Sequence, residues 1–323
     1  MHIMKRGRER GEETMPDLKR FLELHKHELL GLPRVVGVGL GYKEVRGKPT
    51  STPAIIVCVS KKIPPQALGA GEGVPRIWRG AITDVLEIGE VKTLSFAAGR
   101  APAINERTAR LRPAPPGVSL AHYLVPFGTF GAVVRRQRTG EAMILSNNHV
   151  LANSTDGMDG RSKPGDPILQ PSPGDGGTLE DAIATLDDFV PLSFGGEANL
   201  VDAALAAPIR RELITERPLG LGKPGGTAEP RLGLTVFKSG RTSGVSRGRI
   251  RLVDLRIRIF YGESRWALLE DQFLTNKMGG PGDSGSLLVD QNMRAVGLLV
   301  GGTETATIYS CISNVLRLLE VTI

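Results

Sequence analysis

Apolar positions along this chain recur with two different periods. In residues 16–30, Leu18, Phe21, Leu22, Leu29 and Leu30 form an imperfect stripe at helical spacing behind Pro16, which predicts an amphipathic helix. The pattern then shortens to β-like runs at 35–40, 54–59 and 82–88, and the turn residues Arg46-Gly47-Lys48-Pro49 are placed to join the first two. Together these predict a small α+β domain within residues 1–96, of about 80 ordered residues, near the lower limit for a separate core. Residues 97–117 are rich in Ala, Arg and Pro and show no period, which is a linker signature. Beyond them, short apolar runs at 131–134, 142–145, 182–186, 203–206, 234–237, 268–274, 287–289 and 295–300 are separated by Gly, Pro, Asn and Asp, the pattern of a barrel or sandwich. Val315, Leu316, Leu318 and Leu319 predict a short closing helix within 313–321.

Composition agrees with a β-rich chain full of turns. Among 323 residues are 41 glycines and 22 prolines, with 40% apolar and 23% charged residues. Aromatic residues make up only 5%, which argues against a stacking platform for single-stranded nucleic acid. The net charge of +7 gathers partly in 100–112 and in 238–258. Within the latter, Arg249, Arg251, Arg256 and Arg258 alternate with apolar residues, so the reading is a strand with arginines on its wet face and a bulge near Val253-Asp254. That reading makes nucleic acid an unlikely partner. Gly37, Gly39 and Gly41 fit neither phosphate-loop spacing and are read as close-packing positions in a strand. Asp156, Asp159 and Asp166 lie in a Gly-rich loop without EF-hand spacing, so no metal site is expected.

Two cysteines, Cys58 and Cys311, sit inside apolar runs and read as buried thiols. With no disulfide framework, no apolar signal core in residues 1–13 and no apolar stretch long enough to span a bilayer, the expectation is a cytoplasmic protein without a membrane partner.

The candidate chemistry lies in Gly282-Asp283-Ser284-Gly285, between Gly279-Gly280-Pro281 and the apolar run Leu287-Leu288-Val289. Small residues allow a sharp turn on which the N–H groups of Gly282 and Ser284 point to one spot beside the Ser284 hydroxyl. A serine hydroxyl is a weak nucleophile at neutral pH and needs a base and an oxyanion site. His149 ends the strand-like run Leu145-Ser146-Asn147-Asn148, and an acid follows in Leu200-Val201-Asp202-Ala203-Ala204. Asp181 is a rival acid with a similar local sequence; Asp202 is preferred because Asp181 leaves too little chain after His149 to complete a barrel.

On these residues and their order, His then Asp then Ser, residues 118–323 resemble the trypsin-like serine peptidases, and Phe237-Lys238-Ser239-Gly240-Arg241-Thr242-Ser243-Gly244 resembles the bacterial streptogrisin-type branch. The resemblance implies a mainly β, double β-barrel fold, with a first barrel at about 118–209 and a second at about 210–323, preceded by the α+β region as an accessory or regulatory domain. It implies a serine endopeptidase without a cofactor, acting on protein or peptide substrates through an acyl-enzyme. His149 would be the base, Asp202 its orienting acid, Ser284 the nucleophile, and the N–H groups of Gly282 and Ser284 the oxyanion donors. Met278 would lie at the base of the primary pocket, with Gly301 and Gly302 along its wall, favouring medium apolar side chains. Two departures are Asn148, where a small residue is usual, and Ser286, where a second glycine is common. Val118-Ser119-Leu120-Ala121 lacks the Ile-Val-Gly-Gly start of zymogen-type relatives, so Asp283 is expected to serve without a freed N-terminal amine. The alternatives are an idle trypsin-fold scaffold for protein interaction and a nucleic-acid-associated protein using 238–258. The α+β region is a possible docking place for a regulatory partner.

Overall fold

The computed structural model describes residues 14–69, 71–95 and 105–323. The helix Met15–Leu30 opens at Thr14, whose hydroxyl donates to the Asp17 carboxylate at 2.7 Å. Its Leu18, Leu22 and Leu29 are buried against Val35, Val38, Ile55 and Val57. Those four belong to a long hairpin, Val35–Val45 with Lys48–Val59. Arg46 and Gly47 turn it with φ of +52° and +75°, the left-handed pair that a two-residue hairpin loop needs. Strand Ala81–Glu87 then adds in parallel to Lys48–Val59.

The rest of the described chain is built around two β-barrels. In the first, the sheet runs from Ala132–Arg136 through Ala142–Ser146, Ala204–Pro208, Ala182–Phe189 and Pro167–Leu169 to Ala121–His122. A bridge between Ser119 and Thr129, with Leu120 N–H donating to Gly128 O at 3.1 Å and Phe130 N–H to Val118 O at 3.0 Å, rolls its two edges together. In the second, Thr235–Gly240, Gly244–Tyr261, Arg265–Asn276, Ala306–Cys311, Ala295–Gly302 and Leu287–Asp290 pair in a ring that returns to Thr235–Gly240. Closure removes the sheet edges that would otherwise invite aggregation. The helix Ile312–Leu318 packs between the barrels, and Val321–Thr322 then pairs with Arg135 and Arg136 of the first.

The N-terminal hairpin shares a sheet with the second barrel. Val35–Val45 lies antiparallel to Gly244–Tyr261, with Gly41 opposite Leu252. A Cβ on Gly41 would come within 2.6 Å of Leu252 Cδ2, so this contact requires the glycine. The pairing also corrects the reading of the arginines. The strand Gly244–Tyr261 does break register between Leu252 and Leu255, and Arg249 is exposed as read, but the other three arginines are half-buried or buried. Arg256 is 8% exposed and pairs with Glu270 at 3.1 Å, Arg251 holds Glu44, and Arg258 lies 4.9 Å from the centre of the Trp266 ring. Alternation revealed the strand but not the hairpin that pairs with it.

Of the Ala/Arg/Pro-rich stretch, residues 97–104 lie outside the described residues, and 105–117 are packed against the barrels. Ala114 N–H donates to Leu213 O at 2.7 Å, and the Arg107 guanidinium donates to Gly117 O, Ser239 Oγ and Leu219 O. These bonds tie carbonyls of separate segments, which composition does not reveal. Both cysteines are free and buried, and burial pushes the Cys58 thiol up to about 12. Among the described residues no helix is long and apolar enough to cross a membrane.

Candidate active site

His149 lies on the short helix Asn148–Leu151, directly after strand Ala142–Ser146. Asp202 stands two residues before strand Ala204–Pro208, and the pairing of Ala204 with Ser146 brings acid and imidazole together. The Asp202 carboxylate meets His149 twice. Its Oδ2 lies 2.5 Å from Nδ1, and its Oδ1 accepts the His149 main-chain N–H at 3.1 Å. Both side chains are fully buried. Asn147 Nδ2 donates to Asp202 O at 2.7 Å, and Asn148 Nδ2 donates to Thr155 O and Val190 O, so the asparagine pair fastens the two loops that carry the site.

A third group reaches the acid from the second barrel. The Tyr261 hydroxyl donates to Asp202 Oδ2 at 2.8 Å, and its ring stands edge-on to His149 with centroids 5.9 Å apart. Burial raises the Tyr261 phenol well above its ordinary range, and the Asp202 charge adds to the effect, so it remains a proton donor. Nothing in the local sequence of Tyr261, the last residue of an alternating strand, marks it for this contact.

Ser284 sits on the turn leading into strand Leu287–Asp290. Gly282 and Gly285 have φ of +95° and +89°, and a Cβ on Gly285 would come within 1.9 Å of Ser146 Oγ. Asp283 points inward to Lys238, with Nζ 3.3 Å from Oδ2 and both side chains fully buried. It also accepts N–H bonds from Gly280, Thr242 and Ser243. Lys238 thus supplies the buried cation for Asp283 from within the chain. Desolvation lowers the Lys238 pKa, and the Asp283 charge opposes that shift. Ser286, at the second departure from the family pattern, donates its hydroxyl to Asp283 O at 2.6 Å and braces the turn.

The remaining predicted residues line a cleft that the chain itself fills. Met278 is buried beside Leu299, and the Tyr309 hydroxyl points at its sulfur. Gly301 and Gly302 pair with Thr93 and Lys92 of the short strand Lys92–Thr93. Leu94 continues that strand. Its carbonyl accepts the Gly282 N–H at 2.7 Å, and its own N–H donates to Ser284 Oγ at 3.2 Å. The Ser284 hydroxyl donates to Val300 O at 3.2 Å, while the buried His149 Nε2 has no hydrogen-bond partner.

Asp181, the rival acid, bonds its own turn through Thr178 and pairs with Arg110 at 2.9 Å. Of the loop acids, Asp166 meets His122 at 3.2 Å, and Asp159 accepts from Thr155 and faces Arg265. Among the described residues no three His, Cys, Asp or Glu side chains gather as a metal site.

No family model matches the chain, and no curated protein matches it. Solved structures do. Thermobifida fusca protease A is 19% identical with a TM-score of 0.43, covering 60% of this chain and 90% of its own. A Nocardiopsis protease is 19% identical with a TM-score of 0.45, covering 63% and 96%, and the Cellulomonas bogoriensis chymotrypsin is 16% identical with a TM-score of 0.44, covering 65% and 97%.

Proposed function

We propose that this chain is a serine endopeptidase. His149 is the general base, Asp202 holds its tautomer and stabilises the imidazolium, and Ser284 attacks the peptide carbonyl to give an acyl-enzyme that water releases. The Gly282 and Ser284 N–H groups hold the oxyanion. One observation carries the reading: the Gly282 N–H, two residues from Ser284, already accommodates a peptide carbonyl at 2.7 Å. The fully buried His149–Asp202 pair supports it from the other barrel. Tyr261 is a positioning residue for the acid. Side chains around Met278 and Leu299 favour a medium apolar residue before the cut, and Leu94 packs against that cluster. Two free, buried cysteines are in keeping with a reducing compartment such as the cytoplasm.

The test is fluorophosphonate treatment followed by intact mass, on wild type and on Leu94→Asp and Leu94→Gly, each also carrying Ser284→Ala. Because Leu94 covers the serine, the Leu94 variants are expected to take up one adduct that Ser284→Ala abolishes. Absence of an adduct from wild type and from both Leu94 variants would overturn the reading and leave an idle scaffold.

A further inference from the structure

We propose that the open edge of strand Ala81–Glu87 is a docking site for an extended acidic peptide, which adds to the sheet as a further strand. The site shares no residue with His149, Asp202 and Ser284, and it stands whether or not Ser284 is a nucleophile. On one side of the strand, Thr83 to Glu87 pair with Ile55 to Val59. On the other side, Ile77 and Trp78 cover only Ile82 and Ala81, and Thr83 N–H donates to Arg76 O at 3.1 Å. Main-chain groups of a strand point to the same side at every second residue, so Val85 and Glu87 also face outward. Among the described residues no strand pairs with them there, and the Val85 N–H meets only the neighbouring Asp84 carboxylate, at 3.0 Å. Val85 and Leu86 are half-buried and Glu87 is exposed.

This edge runs between two cavities on opposite faces of the sheet. Leu86 packs on the core that holds Ile56 and Leu252, whereas Val85 packs on the core beneath the N-terminal helix. The cavity on the Leu86 face, of about 410 Å³, lies under the tip of the N-terminal hairpin, which folds over so that Glu44 N–H donates to Asp84 Oδ2 at 2.7 Å. Ile56, Leu86 and Leu252 line it below, and Arg46, Lys62 and Arg249 line it towards solvent. The cavity on the helix side, of about 430 Å³, is lined by Ile63, Leu68 and Val74, and Val85 lines both. A strand laid along the edge sends alternate side chains to opposite faces, so its residues enter the two cavities in turn.

The charges select the occupant. Six cations and three carboxylates line the two cavities. Those carboxylates are already engaged: Glu44 pairs with Arg251, Glu72 pairs with Arg34 at 2.8 Å, and Asp84 accepts the N–H groups of Glu44 and Val85. Arg46, Lys61, Lys62 and Arg249 are exposed and pair with no acid among the described residues. Lysines beside an open edge repel a second copy of the same edge and favour an acidic strand. Arg46 and Arg249 flank the hairpin-side cavity, so the acidic side chains point there, with their methylenes over the apolar floor and their carboxylates at the rim. On the helix side the Arg34–Glu72 pair is closed, and the alternate residues of the peptide are apolar.

Binding is followed by fluorescence anisotropy on the full chain carrying Ser284→Ala, so that the probe stays whole. The probe is a fluorescein-labelled heptapeptide alternating glutamate with valine, compared with one that has lysine for glutamate. The glutamate peptide is expected to bind and the lysine peptide is not. Arg46→Glu with Arg249→Glu should weaken the glutamate peptide about tenfold and admit the lysine peptide. Val85→Pro removes an outward N–H and keeps the pairing with Lys48–Val59, so it should abolish binding at an unchanged melting temperature. Amide exchange reads the same contact without a variant: the bound peptide should slow exchange at Val85 and Glu87. No binding of the glutamate peptide, equal binding of both peptides, or binding that slows neither amide would overturn the site. Displacement of the peptide by an equally charged oligodeoxynucleotide at the same concentration would overturn it in favour of a general polyanion surface.

Discussion

The two halves of the candidate site are held by different means. On the first barrel, His149 and Asp202 are joined by two hydrogen bonds, and the acid takes a third from Tyr261. On the second, the turn around Ser284 is just as firmly built, through Asp283 and Lys238, yet the hydroxyl itself is engaged by Val300 and Leu94 rather than by the histidine. The comparison teaches that the buried ion pairs are pre-set while the candidate nucleophile's hydroxyl is occupied. Burying and pairing ionised groups needs a fixed surrounding of donors, so that work belongs to the fold. Aligning one neutral hydroxyl needs only a side-chain rotation and is open to control by whatever lies in the cleft.

The largest effect is expected on the histidine–acid half. Asp202→Asn keeps the shape but reverses the donor preference at Nδ1, so the rate of fluorophosphonate labelling, measured in the Leu94→Asp background, should fall by about 10⁴. A drop of less than tenfold would show that the acid does not set the tautomer. Lys238→Met probes the serine half. It leaves the buried Asp283 charge without its cation and should cost about 3–5 kcal/mol in urea unfolding; an unchanged midpoint would mean that the N–H donors alone suffice for Asp283. Tyr261→Phe removes one hydrogen bond to a carboxylate, worth about 1.5–3 kcal/mol. Labelling should slow by roughly 10–100-fold with the fold intact by circular dichroism, and an unchanged rate would reduce Tyr261 to packing. The smallest change lies outside the site. Gly41→Ala forces the N-terminal hairpin away from Leu252 and should cost about 1–3 kcal/mol, read as a lower melting temperature with the labelling rate kept. If labelling falls as well, the hairpin also supports the cleft strand.

Much of this was legible along the chain because it is local. The stripe of Leu18, Leu22 and Leu29, the turn at Arg46-Gly47 and the short runs of the two barrels follow from spacing and turn chemistry over a few residues. The same holds for the Gly-Asp-Ser-Gly turn, whose two positive-φ glycines are a backbone requirement written directly into residue type. Asp202 could be preferred over Asp181 only by counting the chain needed for a barrel; the pairing of Ala204 with Ser146 gives the physical basis for its contact with His149.

What lay beyond the sequence depends on contacts between distant segments. Tyr261 stands 59 residues from Asp202, and Leu94 stands 190 residues from Ser284, with no local pattern to mark either. Lys238 has no local pattern to mark its role, and only the fold buries it against Asp283. Arg256 looked solvated until the fold buried it against His27 of the N-terminal helix and Glu270 of the neighbouring strand. By itself the sequence determined the elements, the order of the candidate catalytic residues and the strained turn, because backbone conformation answers to neighbours along the chain. The tertiary structure alone decided which donor reaches the acid, which cation meets Asp283 and which peptide lies over the serine, because burial and hydrogen bonding answer to neighbours in space.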